Sequence, residues 1–320
     1  MDYSSVKWLR RMALAAVIAL YMVVIAGAVV RASGSGMGCP DWPRCFGRLI
    51  PPTDVSQVPP EYMQEFLTHG RGSLVHTWTE YVNRLVGAIS GIATVVMLGL
   101  AIKARRHAPG AWLVVLGGLG VFLFVVWLGK VVVDTTLAER HITIHMLGAL
   151  LYALAMVWAM ELAMDRTSRS LKTGCTEVPV ALQWHVAGVF VMLLLQIIMG
   201  TQVREVVDQL KPGDCCGGRL EEHLGMAFSW HAAGAWVTIA LLGSLVIRLY
   251  LAPARKRLPV FLPALSVCLV LEYLVGVILI RMGLPALVQP LHLLIAFIMA
   301  GMLVSLIVRM RLAPGIPGSL

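Results

Sequence analysis

A histidine, a carboxylate and an amide open an otherwise apolar stretch, His76-Thr-Trp-Thr-Glu80-Tyr-Val-Asn83-Arg84-Leu-Val-Gly87. In a helix, residues 76, 80 and 83 share one face at i, i+4 and i+7. Ionisable groups at membrane depth are costly, so such a cluster reads first as functional. Three later apolar segments also carry a histidine near one end: His145, His231 and His292. Four polar-tipped helices of this kind suit a buried cofactor with metal-ligating imidazoles around it. A desolvated Glu80 suits proton transfer or stabilisation of a developing cation. The structural alternative for Glu80 is a salt bridge to Arg84 at i+4.

The elements that must position these groups are membrane helices. Of 320 residues, 58% are hydrophobic and 13% charged, about half the charged share of a soluble domain, and the mean hydropathy is +0.81. Spans of about 20 apolar residues fit the hydrocarbon thickness. Eight are predicted, near 12–30, 77–102, 110–133, 142–163, 181–203, 225–248, 259–281 and 287–308. The first is too long for a signal-peptide core and lacks a clear cleavage site.

The formal net charge of +9 does not point to nucleic acid, because the basic residues sit in short connectors between apolar runs. Lys7, Arg10 and Arg11, Lys103 to Arg106, Arg166 to Lys172, Arg248 to Arg257, and Arg309 with Arg311 all fall on one side of an eight-span chain. The positive-inside rule makes that side, with both termini, cytoplasmic. His76, His145, His231 and His292 then lie near the outer face. No Arg-rich, Ser-rich presequence is present, which favours a bacterial plasma membrane over an organelle.

The two halves resemble each other. Gly27-Ala-Val-Val-Arg31 ends the first span, Gly200-Thr-Gln-Val-Arg204 ends the fifth, and each precedes an outer loop with two cysteines. The expected fold is therefore an all-α integral membrane protein, with eight helices in two pseudo-symmetric four-helix bundles. The N-terminal half is residues 1–170, the C-terminal half 171–320, and the join lies in the connector around 164–180.

Helix bundles build cofactor sites from facing helices, and two imidazoles at one depth can supply both axial ligands of a haem. His231 with His292 makes such a pair, and His145 is the corresponding residue of the fourth span. His141 lies one turn further out. The competing reading is four unrelated interfacial histidines, each bonded to a loop carbonyl. The second span breaks the pattern: Asn83 stands at the expected place, and His76 lies about 10 Å further out at roughly 1.5 Å per residue. Arg31, Lys130, Arg204 and Arg281 sit near outer helix ends, where haem propionates or lipid headgroups would give them partners.

Cys39 and Cys45 enclose Pro-Asp-Trp-Pro-Arg in the long first outer loop, about 31–75. Disulfides persist outside the cytoplasm, so a Cys39–Cys45 bridge is expected, as a staple rather than a redox centre. A bond between the neighbours Cys215 and Cys216 would be strained and easily reduced. Cys175 and Cys268 read as packing residues, and no zinc spacing occurs. The proline-rich start of the loop is expected to be irregular, with a short surface helix over 61–67.

Gly36-Met-Gly-Cys39-Pro-Asp-Trp-Pro-Arg-Cys45, the Glu80-Tyr-Val-Asn-Arg84 segment and single histidines opening the fourth, sixth and eighth spans together resemble the haem A synthase family. The resemblance covers all eight spans, and the cysteine loop is its most specific part. It implies a membrane oxidoreductase that converts the C8 methyl of haem O to a formyl group by successive hydroxylations, for cytochrome oxidase assembly. It further implies haem b on His231 and His292 in the C-terminal half, the substrate haem on His145 in the N-terminal half, and Glu80 as catalytic carboxylate. Haem O synthase would deliver the substrate, and a separate donor would supply electrons.

Asn83 departs from the family, which has histidine there. Three readings stay open: His145 alone holds the substrate haem, His76 or His141 substitutes, or the N-terminal site has lost its chemistry. The rival functions are a two-haem transmembrane electron carrier and a haem-handling protein without catalysis.

Overall fold

Lipid offers the backbone no hydrogen-bond partners, so a spanning segment must satisfy its own N–H and C=O groups. Even the β-branched run Val131-Val132-Val133 is accordingly helical. The computed structural model describes residues 3–68, 72–135, 137, 139–164, 178–209 and 220–311. Among these the chain is helical, with no strand.

Among the described residues eight helices are long and apolar enough to cross a membrane, and the chain is a multi-pass membrane protein. They are α1 (Tyr3–Ser33), α3 (Leu74–Lys103), α4 (Ala111–Asp134), α5 (Glu139–Ala163), α6 (Val180–Gln209), α7 (Leu220–Leu251), α8 (Phe261–Arg281) and α9 (Gln289–Arg311), with a short α2 (Met63–Thr68) in the first loop. Each predicted span corresponds to one of them. Several helices run past the predicted limits, most clearly at the start of α1 and the end of α6, because hydropathy marks the lipid-embedded part while the helix continues through polar residues.

Two helix ends show how the chain stops. Gly34 and Gly283 take φ of 68° and 69°, and the next N–H returns to the carbonyl five residues back, Ser35 to Val30 and Leu284 to Leu279, each at 2.8 Å. This left-handed cap satisfies carbonyls that the helix leaves open. α7 is interrupted at Gly225, whose φ of 55° and ψ of −141° kink it.

The described residues form two compact units. One holds α1, α2, α3, α4 from Trp112 and α5 as far as Met156, with Gln289–Leu291; the other holds α6, α7, α8, the end of α5 from Val157 and α9 from His292. In the first, Tyr152 bridges Ser90, at 3.2 Å, and Thr94, a buried hydroxyl contact of the kind that joins helices in membranes. In the second, the fully buried Glu161 accepts from Ser305 at 2.7 Å and from Arg309 at 2.9 and 3.1 Å.

The first loop has a core of its own, made of Cys39, Cys45, Phe46, Val58 and Phe66 with Tyr62, Met63, Leu74 and Tyr81 packed against it. Phe46 meets Tyr62 and Phe66 edge-on. The expected surface helix is there, as a 3-10 turn over Pro60–Tyr62 running into α2, and a second such turn, Val55–Gln57, is capped by Asp54. Cys39 and Cys45 are disulfide-bonded, as expected. Cys175, Cys215, Cys216 and the basic residues 166, 169 and 172 lie outside the described residues.

Candidate functional site

In the first unit the site is built where the disulfide loop meets the first turns of α3. Gly38 approaches the helix so closely that a Cβ there would lie 2.4 Å from the His76 carbonyl oxygen. That approach delivers the Cys39 N–H to Glu80 Oε2 at 2.8 Å. Arg84 holds the other carboxylate oxygen, Nε donating to Oε1 at 3.1 Å and Nη2 pairing with it as well. The guanidinium also donates to three loop carbonyls, those of Asp41 at 2.7 Å, Arg44 at 2.9 Å and Cys39 at 3.2 Å. Asp41 completes the clamp by accepting from the Phe46 and Gly47 N–H groups at 2.6 and 2.9 Å. The salt bridge considered for Glu80 is thus present, and the carboxylate is only 4% exposed.

The candidate ligand positions follow one rule, and it involves residues that sequence reasoning passed over. Each is seated against a glycine of a neighbouring helix. A Cβ on Gly129 of α4 would lie 3.3 Å from the His145 ring, one on Gly200 of α6 3.2 Å from the His231 ring, and one on Gly276 of α8 3.4 Å from the His292 ring. The fourth pair is Gly27 of α1 with Asn83, at 3.8 Å from Oδ1. Asn83 is therefore the counterpart of the histidines. His76 is engaged elsewhere, its Nδ1 2.8 Å from Ser35 Oγ, and His141 Nδ1 lies 3.0 Å from Thr135 Oγ1. The repeat Gly27…Arg31 and Gly200…Arg204 was the signal that could have exposed this rule.

In the second unit the rings of His231 and His292 face each other with centroids 6.3 Å apart and planes at 81°. That separation suits two imidazoles on opposite faces of one iron, each bonding through nitrogen at about 2 Å. The glycines behind the rings are cradles that a side chain would fill, so the residues present fit a haem with two histidine ligands. Among the described residues no cluster of three or more His, Cys, Asp or Glu could hold a bare metal ion. Two polar residues inside α6 and α8 also belong to this site: Gln196 Nε2 lies 3.2 Å from His231 Nδ1, and Glu272 Oε1 lies 3.2 Å from His292 Nδ1. Their polarity within apolar helices was a usable signal.

Arg31 Nη1 reaches Met146 Sδ of α5 at 2.9 Å, whereas two further cations at helix ends have partners within their own helices. Lys130 pairs with Asp134, and Arg204 with Asp208 at 2.6 Å.

Compared with known families, residues 10–304 match the COX15-CtaA model, described as cytochrome oxidase assembly protein. The chain belongs to this family. COX15-CtaA relatives named heme A synthase include one from Shewanella oneidensis, 25% identical over 87% of this chain and 88% of its own length. Another, from Halalkalibacterium halodurans, is 24% identical over 88% of this chain and 90% of its own. A third, from Bacillus licheniformis, is 23% identical over 64% of this chain and 61% of its own. For a COX15-CtaA protein, the paired histidines and the glycines behind them are the arrangement through which a haem would be bound.

Proposed function

We propose that the chain is a haem A synthase, an integral oxidoreductase that converts the C8 methyl of haem O to a formyl group for cytochrome oxidase. The single observation that carries this reading is the glycine-backed set of three histidines and Asn83, with the His231–His292 rings spaced for one iron. Membership of the COX15-CtaA family and relatives named heme A synthase support it. The two halves are pseudo-symmetric four-helix bundles, with both termini in the cytoplasm of a bacterial cell and the haem sites toward the outer face of the plasma membrane.

Haem b, held by His231 and His292, would supply one-electron transfer. His145 would hold the iron of haem O. Asn83, an amide and at best a weak iron ligand, would not add a second imidazole, which suits oxygen-dependent chemistry better than a closed bis-histidine site. Glu80 holds or moves a proton, or stabilises positive charge at the reacting carbon, and Arg84 fixes its carboxylate. Lys130 and Arg204, paired here with Asp134 and Asp208, would be the residues to hold haem propionates. Haem O synthase delivers the substrate and a separate donor supplies electrons. An electron carrier with two bis-histidine haems is disfavoured by Asn83.

The test is the identity and stoichiometry of haems extracted from the purified protein after co-expression with a source of haem O. Haem A, or a hydroxylated intermediate, beside one equivalent of haem B is the expected result. Two equivalents of haem B with haem O never altered would overturn the reading.

A further inference from the structure

Each backing glycine has a residue one helical turn before it on the same face, and these four residues divide by half. In the second unit they are Gln196 before Gly200 and Glu272 before Gly276; in the first they are Val23 before Gly27 and Val125 before Gly129. Both polar members reach the imidazole seated on their glycine. Gln196 Nε2 donates to the His231 carbonyl at 2.8 Å and lies 3.2 Å from its Nδ1, while Oε1 is buried without an aligned partner. Gly234 is part of this fit, because a Cβ there would sit 2.5 Å from Gln196 Oε1. Glu272 Oε1 is 3.2 Å from His292 Nδ1, yet that nitrogen and Glu272 Oε2 are shielded and have no aligned hydrogen bond. His145 Nδ1 is likewise buried without an aligned side-chain partner; the residue at the corresponding place is Val125, which offers only its backbone carbonyl.

An imidazole that bonds a metal through Nε2 carries its proton on Nδ1 and needs an acceptor there; the acceptor fixes the tautomer and ring orientation and tunes the metal. A carboxylate makes the imidazole a stronger donor than a neutral amide does. The His231 carbonyl fixes the Gln196 amide with Nε2 toward the histidine, so Gln196 presents a donor there and not an acceptor.

We infer that Glu272 is the positioning residue for His292: it accepts the Nδ1–H of that ligand, holds the ring with Nε2 toward the iron, and keeps the C-terminal haem at low potential. Behind His231, Gln196 donates its amide N–H to the histidine carbonyl and offers no carboxylate, so the two ligands of this haem are inequivalent. The N-terminal half, with valines at both places, gives its histidine no side-chain acceptor. This division deepens the proposed function, on which it rests, by making the C-terminal haem the electron-donating one.

The test uses the full-length holoprotein. The unsubstituted protein is first examined for a low-spin bis-histidine haem in the C-terminal half; its absence would overturn the function proposed above, independently of Glu272. Glu272→Gln then keeps an acceptor without the charge, and Glu272→Leu removes it. The expected result is a C-terminal haem retained in Glu272→Gln with its midpoint potential moved positive and its low-spin EPR g-values changed. In Glu272→Leu the shift is larger and haem retention falls about 10–100-fold, as for other lost partners of metal ligands. Unchanged potential and g-values in haem-loaded Glu272→Gln overturn the inference. So does loss of haem from both variants when the residual haem has unaltered spectra and potential, since that is the behaviour of a packing residue.

Discussion

Asn83 faces Gly27 as His145 faces Gly129, with Oδ1 of the amide 3.8 Å from where a Gly27 Cβ would stand. An amide therefore stands against its glycine as the three imidazoles stand against theirs. Restoring the imidazole should close the N-terminal site. Asn83→His is expected to convert a haem bound there to a six-coordinate, low-spin form, visible in absorption and EPR spectra, and to lower haem A formation. A spectrum identical to that of the unsubstituted protein would show that residue 83 does not face the iron.

The glycines can be tested against one another within a single helix. A Cβ at Gly200 meets the His231 ring at 3.2 Å, whereas a Cβ at Gly188 meets nothing within 4 Å. Gly188→Ala should be neutral or stabilising by up to about 1 kcal/mol from helix propensity. Gly200→Ala should cost about 1–3 kcal/mol of overpacking and reduce haem retention in the C-terminal half. Thermal unfolding and haem stoichiometry of the two variants, side by side, give the comparison.

Removing either of the two histidines proposed to hold haem b should have the same spectral result. His231→Ala and His292→Ala are each expected to lose the low-spin haem b signal while haem O still binds on His145. Pyridine haemochrome analysis separates the two haems. Retention of the low-spin signal in either variant would reject the pair.

Glu80 and Arg84 separate charge from geometry. Arg84→Lys keeps the charge but lacks the planar fork that serves Glu80 and three carbonyls at once, so haem A formation should fall and the loop should become cleavable by protease. Glu80→Gln should lower the rate of haem A formation by about 10²–10⁴-fold, the usual scale of a lost proton-transfer group, with bound haem unchanged. A normal rate in Glu80→Gln would remove the carboxylate from the chemistry.

Hydropathy was enough to place all eight membrane helices, because a spanning helix needs only length and apolarity. The Cys39–Cys45 bridge was legible from compartment and spacing. The glycines behind the histidines were not, since a small residue in a membrane helix has many possible reasons and only the packed structure shows which ring it faces. Gln196 and Glu272 are visible in the sequence as polar residues within apolar spans, but which imidazole each meets is set by packing between helices. The clamp of Arg84 on the loop joins residues 40 to 45 positions apart, a contact that local patterning does not encode.

Glu80 takes one of its hydrogen bonds from the backbone of a disulfide-bonded cysteine, and this sets an order of events during biogenesis. The carboxylate sits in α3, which can insert as soon as it is synthesised. Its partner is delivered only when the preceding loop has been oxidised and folded around Phe46. The helix can thus be in place before its carboxylate has a full set of partners, and Glu80 is finished by the maturation of a loop rather than by the helix that carries it.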